Sequence, residues 1–296
     1  MLINTVFKTI RPSFLVLSPV CVFLGLSTAL ASEPQVNYFI FMLVLIGAIS
    51  AHISVNMLNE YFDFKSGLDL NTKKTAFSGG SGALPDNPEL AQIILMLGLV
   101  SLMITIIIGI YLIAERGSQI IPVGLVGVLL VVTYTQWLNR LPFLCLIAPG
   151  LGFGVLMVVG THVILAGEFS LLAWIVSFVP FFLINNLLLL NQYPDIKADA
   201  SVGRKTFPVV FGVNKSNIVY AVFALAAYIL TLYIIVKEYI PGFSVIAFIP
   251  IVFSLFAFYG ALKHKSKIGD FPRYLAANVA AAILTPLLLA ISIVTA

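Results

Sequence analysis

Apolar runs long enough to cross a bilayer repeat along the whole chain, each closed by a short polar or Gly/Pro-rich break. Nine are read: 12–30, 37–59, 90–113, 120–138, 143–165, 170–192, 216–236, 243–262 and 274–294. A hydrocarbon core about 30 Å thick needs about 20 helical residues. The pattern therefore predicts an all-α, multi-pass membrane protein with nine transmembrane helices. The breaks carry helix-stopping punctuation: "SEP" at 32–34, "PDNPE" at 85–89, "ERG" at 115–117, "GE" at 167–168 and "PG" at 241–242. The first run follows Lys8 and Arg11 and ends in "ALAS", the layout of a signal peptide. Its length, and the eight runs after it, favour a retained first helix.

Composition agrees. The chain has 296 residues, 60% hydrophobic and 9% charged, against about 25% charged in soluble domains. Its solvent is lipid. With the N-terminus in the cytoplasm, 14 of the 16 lysines and arginines fall on the cytoplasmic side, leaving only Arg116 and Lys237 opposite. The positive-inside rule supports this orientation in the cell (inner) membrane, with the C-terminus outside. The net charge of +4 comes without a basic block interleaved with aromatics, so no nucleic-acid partner is expected. Cys21 and Cys145 sit in apolar runs, which suggests packing rather than disulfide or zinc chemistry.

Two acidic stretches break the apolar pattern. "NEYFDFKSGLD" (Asn59 to Asp69) ends the second run, and "NQYPDIKADASVGRKT" (Asn191 to Thr206) ends the sixth. His52, Asn56, Asn59 and Asp63 are spaced 4, 3 and 4, which puts them on one helical face. Such a stripe belongs in the bundle interior, because lipid would not solvate it. Asp69 lies past Gly67 on a turn that can fold back, and Glu60 points elsewhere. Asn191, Asp195 and Asp199 repeat the spacing as 4 and 4, with Pro194 expected to kink the helix. The motifs lie four spans apart and on the same side. The chain reads as one domain, 1–296, of two four-helix pseudo-repeats plus one helix around a central cavity, with motif loops of about 59–89 and 191–215 on the cytoplasmic side.

Two facing carboxylate clusters repel unless a cation lies between them. Hard oxygen donors without His or Cys suggest Mg²⁺, which takes one or two carboxylates and completes its shell with water and phosphate. Lys73, Lys74, Arg204 and Lys205 can meet outer phosphate oxygens. The pattern reads as a diphosphate at the mouth of an apolar cavity, and a polyprenyl diphosphate has that head and tail. Tyr61, Phe62, Phe64, Tyr134 and Tyr193 near the mouth could shelter an allyl cation. His52 and His162 are candidate substrate contacts. One of Asn185 and Asn186 is expected to line the cavity and the other to bond a neighbouring helix. Ser78 to Gly82 reads as a flexible lid. Two other readings stand beside this one. The acids could be solvated charges at helix ends, or could bind the coupling cation of a secondary transporter, although transporters usually keep such residues near the midplane.

The two motifs resemble the aspartate-rich motifs of the UbiA superfamily of intramembrane aromatic prenyltransferases. The Asp63–Asp69 gap with Gly67, and "GFGVLMVVGTHVILAG" (Gly152 to Gly167), are similar to the menaquinone-type branch, which prenylates 1,4-dihydroxy-2-naphthoate. The resemblance implies Mg²⁺-dependent transfer of a polyprenyl chain from its diphosphate to an aromatic acceptor. It implies Asn59, Asp63, Asp195 and Asp199 as the Mg²⁺–diphosphate residues. Lys74, Arg204 and Lys205 would stabilise the leaving group beside Asp63 and Asp195. Asn56, Asn59, Asp69, Lys73, Tyr134, Asn191, Tyr193, His52 and His162 would contact substrates. The acceptor stays open among 1,4-dihydroxy-2-naphthoate, 4-hydroxybenzoate, homogentisate, a porphyrin or a lipid alcohol.

Overall fold

The computed structural model describes every residue except Pro34, Ala76 and Ala296. Pro34 of the first predicted break and Ala76 of the loop after the first motif thus lie outside the described residues. Among the described residues every regular element is helical. Eight segments are long and apolar enough to cross a membrane: Pro12–Ser32, Tyr38–Lys65, Pro88–Arg116, Pro142–Ala166, Leu171–Asn191, Phe207–Val236, Gly242–Asp270 and Pro272–Val294. The predicted fourth span, 120–138, is shorter than expected. Its apolar helix runs Ser118–Thr133, and a turn-rich stretch follows, with Tyr134 N–H bonding Leu130 O and Trp137 N–H bonding Thr133 O.

Local chemistry explains the helix ends near the site. Asn37 caps the second span by accepting hydrogen bonds from Phe39 N–H at 2.9 Å and Ile40 N–H at 3.2 Å. The helix then runs unbroken through the first motif to Lys65, and Gly67 turns the chain at φ 76°. The sixth span ends at Asn191, and Gln192 to Asp195 form a turn before the short helix Ile196–Ser201. Pro194 therefore breaks the helix outright, because it has no N–H to continue the ladder and its ring clashes with the preceding turn. The seventh helix starts at Phe207, earlier than expected, and bends at Gly212 (φ 77°, ψ 165°).

The first span packs against the fifth and the last, the second against the third, and the sixth against the seventh. In the fifth span Pro149 is followed by wide π-type turns over Gly150–Leu156. Asn185 of the sixth span satisfies that stretch by accepting from Gly150 N–H at 2.6 Å. Asn186 donates to Tyr220 O at 2.9 Å. Both amides bond neighbouring helices, and neither lines the cavity.

Candidate active site

A cavity of about 630 Å³ runs down the bundle. Its polar end carries Asn56, Asn59 and Asp63 from the second span, with His52 deeper on the same helix. Asn191, Asp195, Asp199 and Arg204 form the facing wall, and Asp69 folds back to join them. Its apolar end reaches Leu112 and Ile113, at the opposite end of the third span.

Arg204 joins the two motifs. Its guanidinium pairs with Asp63, and its Nη1 lies 3.3 Å from Asp199 Oδ1. Burial opposes the Arg204 charge, but Asp63 and Asp199 outweigh it and hold the group more firmly protonated than usual. Burial raises Asp199, with Arg204 pulling the other way. Burial, with the Asp199 charge, pushes Asp195 up to about 7, against a hydrogen bond from Gly79. Burial, with the Glu60 and Asp63 charges, pushes Asp69 up to about 8.

The glycine-rich loop crosses this mouth. Gly79 N–H donates to Asp195 Oδ2 at 3.0 Å. Gly80 lies against Asp69, and Ser81 N–H donates to Glu60 Oε2 at 3.1 Å. Ser81 Oγ also donates to Glu60 Oε1. Gly79, Gly80 and Gly82 all hold positive φ, a conformation open to glycine at little cost. The loop is thus pinned to both motifs.

Among the described residues no three carboxylate, imidazole or thiol groups form a ready-made metal cluster. Asp69 Oδ2, Asp195 Oδ1 and Asn191 Oδ1 are nevertheless buried without hydrogen-bond partners, and all three are oxygen acceptors. Mg²⁺ seeks few protein carboxylates and completes its shell with phosphate and water. This donor set fits such an ion shared with a phosphate-bearing ligand, rather than a cage built by protein alone.

The UbiA prenyltransferase family model matches residues 17–292. The chain belongs to this family. It is 31% identical over 206 residues to the 1,4-dihydroxy-2-naphthoate octaprenyltransferase of Bacillus subtilis, covering 68% of this chain and 64% of that protein, just under two thirds of its length. It is 26% identical over 229 residues to the UbiA prenyltransferase domain-containing protein 1 of Dictyostelium discoideum, covering 74% of this chain and 67% of that protein. A UbiA homologue from Archaeoglobus fulgidus, solved bound to DMAPP and Mg²⁺, superposes with a TM-score of 0.69 over 98% of this chain and 99% of that one, at 14% identity. That likeness shows the fold.

Within this UbiA-family site, several expected residues stand off the cavity wall. Tyr193 is buried in the core, and its hydroxyl donates to Asn217 Oδ1 at 2.8 Å. The turn forced by Pro194 points its ring away from the mouth. His162 is buried against the first span, with Nδ1 3.1 Å from Thr28 Oγ1. Lys73 is exposed and pairs with Asp270 Oδ1 at 2.7 Å. Lys74 and Lys205 are exposed at the rim, where Lys205 N–H donates to Asn139 O at 2.8 Å. Lysine ammonium groups favour water over a low-dielectric wall. Tyr61 and Phe64 pack in an apolar cluster with Leu84, Leu90 and Ile94, Phe62 lies edge-on to Tyr61, and Phe14, Phe77 and Phe153 line the cavity with Tyr134.

Glu60, Arg11 and Thr135, which carry no role in the sequence pattern, shape this site. Glu60 is fully buried, where it was expected to point elsewhere, and it holds both Ser81 and Arg11. Arg11 lines the cavity with Nη2 3.4 Å from Glu60 Oε2, and it carries a left-handed φ of 52°. Asn56 donates to Ile10 O at 2.9 Å and so draws this N-terminal segment to the mouth. Thr135 accepts from Asn59 Nδ2 at 3.2 Å, which leaves the Asn59 carbonyl for other partners. An arginine before a proline at the head of a span was visible in the sequence, but the fold over Asn56 was not.

Proposed function

We propose that this protein is a Mg²⁺-dependent prenyltransferase that moves a polyprenyl chain from polyprenyl diphosphate to 1,4-dihydroxy-2-naphthoate, in menaquinone biosynthesis. The observation that carries the reading is the joining of both acidic motifs through Arg204 at the polar end of one long apolar cavity. A relative named for that acceptor supports the choice among hydroxylated rings. The basic residues gathered beside the motifs favour a cytoplasmic mouth and N-terminus in the inner membrane.

Asn59, Asp63, Asp195 and Asp199 would hold Mg²⁺, with Asp69 and Asn191 beside them. When bound, Mg²⁺ neutralises charge on the departing diphosphate. Arg204 and Arg11 offer fixed N–H donors to the same phosphate oxygens, in a site too dry to screen them. The exposed Lys74 and Lys205 draw the anionic head to the mouth. As the allylic C–O bond breaks, its electron pair leaves with the diphosphate, and the faces of Tyr134, Phe14 and Phe77 attract the positive charge left on carbon. The apolar walls exclude water that would otherwise trap that carbon. A ring carbon of the acceptor forms the new C–C bond and sheds the proton or carboxylate that the bond displaces. His52, with Nδ1 2.9 Å from Ser18 Oγ and its ring edge-on to Phe153, contacts the chain deeper in the cavity.

The test is product formation by the purified protein in detergent, with labelled polyprenyl diphosphate, Mg²⁺ and 1,4-dihydroxy-2-naphthoate. Prenylated product is expected, lost on chelation and reduced at least about a hundredfold in Asp63→Ala and Asp195→Ala. Product with another hydroxylated ring alone would reassign the acceptor. No transfer and no diphosphate release with any acceptor would overturn the reading.

A further inference from the structure

One polar side chain at the mouth belongs to neither motif's spacing. Gln192 lies in the turn after the sixth span and lines the cavity. Its Nε2 donates to Cys145 Sγ at 3.6 Å. Its Oε1 is buried with no hydrogen-bond partner. Cys145 also lines the cavity, about one turn into the fifth span, and Tyr134 neighbours both Cys145 and Arg204. A carboxamide, a thiol and a phenol thus form an uncharged polar strip beside the charged mouth.

An amide oxygen left without a donor is costly, and it is relieved when a donor arrives. The last torsion of glutamine is broad, so the carboxamide can tilt Oε1 onto an arriving donor while Nε2 keeps its contact with Cys145. The two substrates differ sharply in what they can offer it. A polyprenyl diphosphate shared with a metal ion brings only acceptor oxygens and an apolar tail. A hydroxylated ring brings O–H donors.

We propose that Gln192 recognises the acceptor, its Oε1 taking a hydrogen bond from a ring hydroxyl, with Cys145 as the positioning residue that fixes the carboxamide. This rests on the acceptor being a hydroxylated ring, as proposed above. A site built to bond a substrate hydroxyl rejects the analogue that lacks it, because the site's polar group is then left unpaired. Gln192 is therefore a specificity residue for the acceptor and is indifferent to the prenyl donor.

The experiment compares wild type, Gln192→Met, Gln192→Asn and Cys145→Ala in steady-state transfer, varying each substrate in turn and pairing the hydroxylated acceptor with its O-methyl ether. For Gln192→Met the acceptor KM rises at least about tenfold and the preference for free hydroxyl over methyl ether collapses. The prenyl diphosphate KM and the Mg²⁺ dependence stay within about twofold, which also serves as the check that the variant is folded. Gln192→Asn, whose amide is one methylene too short, shows the same split, and so keeps the test open if the methionine variant does not fold. Cys145→Ala shifts the acceptor KM the same way by less. Equal shifts in both KM values, or a hydroxyl preference that survives in Gln192→Met or Gln192→Asn, overturn the assignment while leaving the proposed activity intact. A wild type that prenylates no hydroxylated ring overturns both.

Discussion

Arg204 shows how much of the site depends on a single residue's surroundings. The sequence placed it in a basic run with Lys205, and nothing in that run says which cation turns inward. The structure buries Arg204 between Asp63 and Asp199 and leaves Lys205 in water. A planar guanidinium can bond two carboxylates at once, whereas a lysine acts as one compact point charge. The motif carboxylates were legible because helical spacing reports a shared face. Arg11, Glu60 and Gln192 were not, because their partners are far away in sequence or lie across a turn. The same residues set a pH dependence. Asp69 and Asp195 titrate near 8 and 7 in the folded protein, against about 4 in an unfolded chain. An acid with a raised folded pKa binds its proton more tightly when folded. Its contribution to stability is complete below about pH 4 and is lost as pH climbs through the folded value. The metal-free protein in detergent is therefore expected to melt lower at pH 9 than at pH 5, with a shallower slope in Asp69→Asn. Thermal unfolding across that range measures it, and identical slopes in the two proteins would contradict the assignment.

At the scale of elements, the helices were legible and their interruptions were not. Apolar length and period fixed where the spans run, since each must satisfy its own backbone in lipid. In the sequence, Pro194 predicts a kink. It breaks the helix, a second one starts after Asp195, and Asp199 on that helix lines the cavity. The glycine-rich loop reads in the sequence as a lid, and in the structure it bonds both motifs. Gly80 is the tightest point of that contact. It sits at φ 71°, and a Cβ there would lie 2.5 Å from Asp69 Oδ1. Gly80→Ala should push the loop off Asp69. Prenyl transfer is expected to fall at least about tenfold, because a small misplacement of a positioned group is costly in rate. Helix content by circular dichroism is expected to stay unchanged. Full activity in this variant would mean that the loop does not shape the site.

Over the whole molecule, the arrangement solves a problem of solvent. The charged head of a lipid-soluble substrate needs donors and a cation, and its tail needs an apolar path. One cavity supplies both, from Asp63 and Asp195 at the mouth to Leu112 at the far end. The fourth helix, shorter than its neighbours, stands beside this cavity through Gly124 and Leu125, and Leu125 is largely exposed. The most direct test of the central claim is the binding of a non-cleavable prenyl thiolodiphosphate to the purified protein, followed by calorimetry with and without Mg²⁺. Binding is expected to require Mg²⁺ and to weaken about a hundredfold or more in Asp63→Asn and in Asp195→Asn alike, because the head is held between the two motifs. Binding that ignores Mg²⁺, or that survives the loss of either aspartate, would contradict the account.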